Sequence, residues 1–420
     1  MRRTRPPAWA AGIVVLGHAL PAAAQVDQQR AQEYFREAQA LCERDSGRLW
    51  GVSVCGPMVI ADRRTQTIAT SRPAPEGPRP QLLGLVNAPI EWGGATWGAY
   101  VWDYFIDREP RRRNELILHE LFHGVQPKLG LAAPFLASEH LDALDGRYWL
   151  RLEWRALALA LRESGDARNL AVRDALAFRQ ARRSLYPSGA EPERAQEIGE
   201  GLAAYTATAL VADSPSDAIS SVLELLQGAE AAESFVRTFA YTSGPAYGLL
   251  LDAASPDWRR RVRNSDDLGT LVASALAVHP ATDAAAAAAR YRGTELRAAE
   301  ERRDQERQER LTDLRRRFVE GPVLVLPGGG SGMSDSRGAA VIPGVGTVFF
   351  NAFRASGPWG TLEAEKGALV ASNGRSRRVP APVRRDEVTL TGDGWTFKLA
   401  PGWVIREGPR QGDYEIVKAP

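Results

Sequence analysis

The spacing of apolar residues along the chain changes character twice. Between residues 49 and 105, short β-type runs are separated by turns rich in Gly and Pro, which predicts a small sheet. Between residues 109 and 283, apolar residues recur every three or four positions, which predicts a mostly helical body. Short β-type runs return from Gly321 onward. The pattern therefore predicts an α+β chain, in which a domain of residues 25–283 precedes a small C-terminal β domain, residues 319–420.

Individual helices follow from the same spacing. A helix is predicted over residues 27–43, ahead of the sheet. Pro110 suits the first turn of a helix that runs to about Gln126, where Pro127 stops it. The sequence FAYTSGPAYGLLLD, residues 239–252, is interpreted as a turn between helices. Further helices are predicted at 140–163, 166–184, 193–212, 215–226 and 229–240, and residues 284–318 are predicted to form a charged, solvated connector helix.

The first 24 residues have the composition of a secretory signal peptide. Arg2, Arg3 and Arg5 precede an apolar stretch, Ala8 to Leu20, that is too short to span a bilayer comfortably. Ala22-Ala23-Ala24 then supplies the small residues that a signal peptidase requires, which predicts cleavage before Gln25. We therefore expect an exported bacterial protein, periplasmic or secreted, with no stable membrane insertion after cleavage.

Removal of this segment changes the charge balance. The whole chain carries 53 basic and 51 acidic residues, a net charge of +2. The predicted signal contains three Arg and no acidic residue, so the mature chain has 50 − 51 = −1. A nearly neutral protein offers no global basic surface, and nucleic acid is therefore not an expected partner.

Two cysteines, Cys42 and Cys55, are the only ones in the chain. In an oxidising compartment they can form a disulfide between the first helix and the strand that follows it. Two free, buried thiols are the alternative. Two cysteines alone do not make a structural zinc site.

The sequence NELILHELFHGVQPKLG contains residues whose side chains could bind a metal ion. In a helix, His119 and His123 are four residues apart and face the same side, so both can bind one metal ion. Glu120 lies at the edge of that face, where its carboxylate can take a proton from metal-bound water. This is the mechanical basis of the H-E-x-x-H pattern. The pattern also occurs by chance, but here it lies among apolar residues and uses two of only five histidines.

A third protein ligand has to come from elsewhere in the chain. The metzincin pattern would need Gly and His where Gln126 and Leu129 stand, which excludes that class. The sequence EIGEGLAAYTA, residues 197–207, resembles the third-ligand helix of the gluzincins, the peptidase MA-like zinc metallopeptidases. The resemblance covers about residues 109–210 and is specific only in its two short motifs.

The resemblance implies a zincin-like catalytic domain with His119, His123 and Glu200 as zinc ligands and Glu120 as the general base. In those families an Asn often precedes the ligand Glu, whereas this chain has Gly199. A contact that supports a ligand is therefore either missing or supplied by another residue.

Other residues compete for these roles. The third ligand could instead be Glu153, which lies on an apolar helix face, or Glu197, His140 or Asp142. A hydroxyl donor for the oxyanion of the transition state is also expected. Tyr205 is our first choice, with Tyr241 and Tyr247 as alternatives.

These features predict an exported zinc metallopeptidase that hydrolyses peptide or protein substrates through a zinc-bound water activated by Glu120. One alternative is a catalytically inactive zincin-like binding or assembly protein of the cell envelope. Another is a zinc hydrolase of a non-peptide amide or ester, such as a cell-wall component. The sequence leaves the oligomeric state and the role of the β domain open.

Overall fold

A computed structural model describes residues 25–134, 136–334, 339–350 and 353–419. The predicted signal peptide, residues 1–24, lies outside these residues. The helices are α1 (Gln28–Asp45), α2 (Pro110–Val125), α3 (Leu144–Arg162), α4 (Gly165–Leu185), α5 (Ala190–Gln196), α6 (Leu202–Val211), α7 (Pro215–Ala229), α8 (Phe239–Ala254), α9 (Trp258–Arg261), α10 (Leu268–Leu276), α11 (Ala284–Ala288) and α12 (Gly293–Arg315). Two π-turns, Glu197–Gly201 and Arg316–Glu320, follow α5 and α12.

The strands fall into an N-terminal and a C-terminal group. They are β1 (Met58–Ala61), β2 (Ile68–Thr70), β3 (Ala88–Trp92), β4 (Ala95–Val101), β5 (Val323–Pro327), β6 (Ser331–Ser334), β7 (Ala339–Ile342), β8 (Gly346–Phe349), β9 (Phe353–Gly357), β10 (Gly360–Ala364), β11 (Ala368–Ala371), β12 (Ser376–Pro380), β13 (Arg384–Arg385), β14 (Thr389–Gly392), β15 (Trp395–Leu399), β16 (Trp403–Glu407) and β17 (Tyr414–Lys418). The predicted α+β class is confirmed.

The N-terminal sheet has the strand order β2-β1-β4-β3, in which β1 and β4 are parallel and the other pairs are antiparallel. Its side chains alternate between two apolar clusters, as the two-residue period of a strand requires. Met58 and Ile60 join the main core with α1 and α2, whereas Val59 and Ala61 join a smaller cluster on the opposite face. The sheet therefore packs against α2 through the face that carries Met58 and Ile60.

Local interactions fix both ends of α2. The carboxylate of Glu109 accepts hydrogen bonds from the backbone N–H groups of Arg111 (3.0 Å) and Arg112 (3.1 Å), and Pro110 occupies the first helical position. The predicted start at Pro110 is therefore confirmed. At the other end Pro127 lies in a short 3-10 turn, Gln126–Leu129, which ends the helix as predicted.

Cys42 and Cys55 form a disulfide that joins the last turn of α1 to the segment before β1. This resolves the choice between a disulfide and two free thiols. No helix in the described part of the chain is long and apolar enough to cross a bilayer.

The interpretation of residues 239–252 as a turn is wrong, because Phe239–Ala254 forms the continuous helix α8. Pro245 removes one backbone hydrogen bond from it, but the helix is held by burial on the α5–α6 segment. The two elements approach so closely that a Cβ on Gly244 would lie 2.3 Å from the Cα of Gly201. Glycine is therefore required at this crossing.

The charged connector is also less solvated than its composition predicts. Residues 289–292 interrupt the predicted helix, and α12 then packs on α3 through the fully buried Glu300. The carboxylate of Glu300 lies 3.1 Å from Arg147 Nε and 2.6 Å from an Arg151 terminal nitrogen. A paired charge can be buried at this contact because each partner compensates the other.

The C-terminal strands form two sheets, with the orders β13-β14-β15-β10-β9-β6 and β16-β17-β5-β12-β11-β8-β7. Leu362 and Phe397 of the first sheet share an apolar core with Leu324 and Val379 of the second, so the sheets form a sandwich. The second π-turn packs against this sandwich through Phe318.

The crossing of α8 gives a direct test of the packing. Replacing Gly244 by Ala places a methyl group against the backbone of Gly201, and we expect this to lower the free energy of unfolding by about 1–3 kcal/mol. Gly228 is the matched control, because it lies inside α7 and an added Cβ there meets nothing within 4 Å. Gly228→Ala should stabilise the protein by about 0.5–1 kcal/mol. Urea unfolding of both variants measures the difference, and equal stability of the two would contradict the assigned crossing.

Candidate metal centre

The two histidines of α2 converge as their spacing predicts. His119 Nε2 and His123 Nε2 lie 2.9 Å apart, and the two rings are nearly perpendicular, at 84°. Both side chains are largely buried between α2 and the segment that precedes α6. One face of α2 therefore presents two imidazole nitrogens to a single point.

Glu200 completes the cluster from the opposite side. Its Oε2 atom lies 3.1 Å from His119 Nε2 and 3.3 Å from His123 Nε2. The three candidate ligand atoms all lie within 4.8 Å of one another. Within the described ranges, this is the group of His, Cys, Asp and Glu residues that could hold a metal ion.

Glu200 reaches the cluster from an irregular piece of helix. The predicted helix over 193–212 is interrupted by the π-turn Glu197–Gly201, in which the N–H of Leu202 bonds to the carbonyl of Glu197. A π-turn inserts one extra residue and so changes the direction of the side chains on either side of it. Such turns are frequent at functional sites, and this one carries the candidate third ligand.

The charges of the cluster favour a cation between the three residues. Burial acts to raise the pKa of Glu200, but its hydrogen bonds with His119 and His123 outweigh burial, and the pKa falls well below the usual range. Burial lowers the pKa of His119. Burial has the same tendency at His123, but there the hydrogen bond and the charge of Glu200 dominate and raise the pKa. Both the lowered pKa of Glu200 and the raised pKa of His123 favour a positive charge beside the carboxylate.

Glu120 stands beside this cluster without being part of it. Its side chain is mostly buried, and burial raises its pKa to about 7, with the charge of Glu200 acting in the same direction and His123 opposing. A carboxylate with a pKa near neutrality can both accept and release a proton at physiological pH.

Among the three tyrosines considered, Tyr241 of α8 is the one in contact with the cluster. Its ring stacks on His119, with centroids 5.2 Å apart and planes 15° apart, and its hydroxyl donates a hydrogen bond to Glu200. The Tyr205 hydroxyl instead donates to Asp252 and is fully buried. Tyr247 donates to Glu153. Tyr205, our first choice for the oxyanion donor, therefore does not contact the cluster.

The other candidates for the third ligand have different partners. Glu153 is fully buried and lies 2.6 Å from Arg182 and 3.2 Å from Arg179. The remaining three are also occupied: Glu197 binds Arg179, His140 lies 2.8 Å from Glu193, and Asp142 accepts a hydrogen bond from the Phe235 backbone N–H. A carboxylate neutralised by a buried guanidinium is a poor competitor for a metal.

One residue of the site was missed by sequence reasoning. Gln126, which served only to exclude the metzincin pattern, contacts His123 through its side-chain oxygen, 2.6 Å from Nδ1. Its side-chain nitrogen donates to the Ile198 and Gly199 carbonyls. The only signal in the sequence was a polar residue one turn beyond the second histidine.

The donor set suits a metal ion of the zinc type. Two imidazole nitrogens and one carboxylate match the ligands of catalytic zinc sites, which keep a further position for water or substrate. The side chains of His123 and Glu200 are 17% and 23% exposed, so solvent reaches the cluster. Comparisons with protein-family models, curated proteins and solved structures found no match to this chain. The interpretation of the site therefore depends on its own geometry.

The third ligand can be tested by substitution. We expect Glu200→Ala to weaken zinc binding by more than the roughly 10–100-fold that loss of a supporting contact costs. Glu153→Gln should leave zinc affinity unchanged but lower stability, because it removes one of the carboxylates that compensate the buried Arg179 and Arg182. Competition with a chromogenic chelator measures the affinity, and urea unfolding measures the stability. Wild-type affinity in Glu200→Ala would rule out this residue as a ligand.

Proposed function

We propose that this chain is an exported zinc metallopeptidase of the gluzincin kind. The observation that carries the proposal is the convergence of His119, His123 and Glu200 to within 4.8 Å, with Glu120 beside them. The chemistry of these donors and the resemblance of the HELFH and EGLAAY motifs favour the same assignment.

A zinc ion bound by these three ligands would polarise the substrate carbonyl and make water more acidic. Glu120 then has the role of general base. Its carboxylate accepts a proton from the attacking water as the new carbon–oxygen bond forms. It returns that proton to the leaving nitrogen as the carbon–nitrogen bond breaks. A pKa raised to about 7 suits both steps, since the group exchanges protons readily near neutral pH.

Tyr241 has the position of an oxyanion donor. Its ring is held by the stack on His119, and its hydroxyl points to the cluster. Burial and the charge of Glu200 raise its pKa, so the hydroxyl stays protonated and can donate a hydrogen bond. We therefore assign to Tyr241 the role that sequence reasoning had given to Tyr205.

Two features support export. The disulfide between Cys42 and Cys55 is of the kind that persists in oxidising compartments. Val26 is buried, and its N–H donates to Thr67, whereas Gln25 is exposed. Cleavage before Gln25 would therefore leave the packed part of the chain intact.

The general base provides the sharpest test of hydrolysis. We expect Glu120→Gln to lose about 10²–10⁴-fold in kcat while zinc remains bound, because the amide cannot take the proton. Turnover of a quenched-fluorescent peptide library measures activity, and zinc content is measured on the same sample. If the zinc-loaded wild type cleaves no peptide, the peptidase assignment is wrong. Cleavage of acyl esters or cell-wall amides by that sample would then favour the non-peptide hydrolase.

The assignment of the oxyanion donor has its own matched pair of variants. Tyr241→Phe keeps the ring on His119 but removes the hydroxyl, and we expect about a 10²–10³-fold lower kcat with little change in KM. Tyr205→Phe removes a buried hydroxyl from Asp252 and Arg259, so it should lower stability and leave kcat unchanged. The reverse result, in which Tyr205→Phe alone lowers kcat, would restore the original assignment.

A further inference from the structure

Gln126 is a buried polar residue between the two halves of the metal centre. It follows the last turn of α2, three residues beyond His123, and only 4% of it is exposed. Its side chain lies between the His123 ring and the π-turn that carries Glu200. A buried amide requires partners for its oxygen and its nitrogen, and both partners belong to the site.

The hydrogen bonds of Gln126 define the orientation of its amide. Nε2 lies 2.8 Å from the Gly199 carbonyl oxygen and 3.2 Å from that of Ile198. Carbonyl oxygens only accept hydrogen bonds, so the NH₂ group must face them. The side-chain oxygen of Gln126 must then face His123 Nδ1, at a distance of 2.6 Å.

The protonation of His123 follows from this orientation. An amide oxygen only accepts, so Nδ1 of His123 has to carry the hydrogen and donate it. In the neutral ring, the lone pair then lies on Nε2, the nitrogen that faces His119 and Glu200. Gln126 therefore selects the tautomer in which His123 can bind a metal.

The same amide also holds the π-turn that carries Glu200. Ile198 and Gly199 belong to the π-turn Glu197–Gly201 and immediately precede Glu200. Because Gln126 Nε2 holds both of their carbonyls, displacement of the π-turn would break the bonds that orient the His123 ring through Gln126. Gly199 has no side chain with which to support a ligand, so the support comes instead from Gln126, which directly follows α2.

We propose that Gln126 is a positioning residue that couples two of the three metal ligands, fixing the tautomer of His123 and the placement of Glu200 through one side chain. The inference rests on the proposed metal site. It adds that the site depends on the Gln126 amide, which donates to the π-turn that carries Glu200 and accepts from His123.

The test uses the mature chain, residues 25–420, with Gln126→Met, which keeps the length of the side chain and removes both kinds of hydrogen bond. We expect zinc affinity to fall about 10–100-fold, measured by chelator competition. In the zinc-free protein, at a pH high enough for the His123 ring to be neutral, ¹⁵N NMR of the imidazoles should show the Nδ1–H tautomer of His123 in the wild type and a mixture in the variant. Gln126→Glu keeps an acceptor facing Nδ1 and should restore the tautomer.

Gln196 supplies the matched control. It is equally buried, at 1% exposure, and its amide donates to the Leu136 and Val236 carbonyls and to the Ser138 hydroxyl. Gln196→Met should lower stability but leave zinc affinity within about twofold, well inside the 10–100-fold loss expected for a supporting contact. An equal loss of affinity in Gln196→Met would reduce the effect of Gln126 to general destabilisation and overturn the proposal.

The proposal and the proposed function fail in different ways. A wild-type protein that binds no zinc would contradict the metal centre itself. The NMR measurement does not need the metal: an unchanged His123 tautomer in Gln126→Met would overturn the role of Gln126 even if the wild type is an active peptidase. Unchanged zinc affinity in that variant would overturn it as well.

Discussion

Three electron-rich atoms held within 4.8 Å of one another place the main physical demand on this fold. Two imidazole nitrogens and a carboxylate oxygen can share so small a space only if a proton or a metal cation lies between them. The raised pKa of His123 and the lowered pKa of Glu200 express this demand, because both favour a positive charge on the imidazole. The surrounding structure therefore has to hold the ligands in place by other means. The helix α2, capped at its start and packed on the N-terminal sheet, positions His119 and His123. The π-turn Glu197–Gly201, packed against α8, positions Glu200.

The buried carboxylates near the cluster have partners of a different kind from those of Glu200. Arg179 and Arg182 neutralise Glu153 and Glu197, so the carboxylates next to the site are satisfied within the protein. Glu200 has different partners: two imidazoles and the hydroxyl of Tyr241. A carboxylate paired with a guanidinium gains little from a metal, whereas one that is hydrogen-bonded to imidazoles and a hydroxyl can still compensate the charge of a metal cation. The fold thus separates carboxylates that are paired with arginines from Glu200, which remains available to a cation, although Glu197 and Glu200 are only three residues apart.

The sequence was informative wherever the relevant interaction is local. Helical spacing places His119 and His123 on one face, and the start of the helix at Pro110 is visible in the residues themselves. Glu200 was reached through a short motif and a resemblance. Tyr241 was only one of two alternatives, because its position depends on how α8 crosses the π-turn at Gly201 and Gly244, and the sequence gives no crossing geometry. The π-turn was not visible either, since a shift of hydrogen-bond register leaves the apolar pattern almost unchanged.

The two histidines also differ in how they are supported, and this difference gives the site a direction. His119, whose side chain is 8% exposed, is covered by the ring of Tyr241, a residue that is itself 38% exposed. His123 is held by Gln126, which is buried against the protein. In the proposed hydrolase, a substrate that approaches past Tyr241 would present its carbonyl to the hydroxyl and to the cluster together. In the proposed hydrolase, Gln126 would hold His123 from the protein side while substrate and product exchange past Tyr241. The ligands would then stay in place through every turnover, as a preorganised site requires.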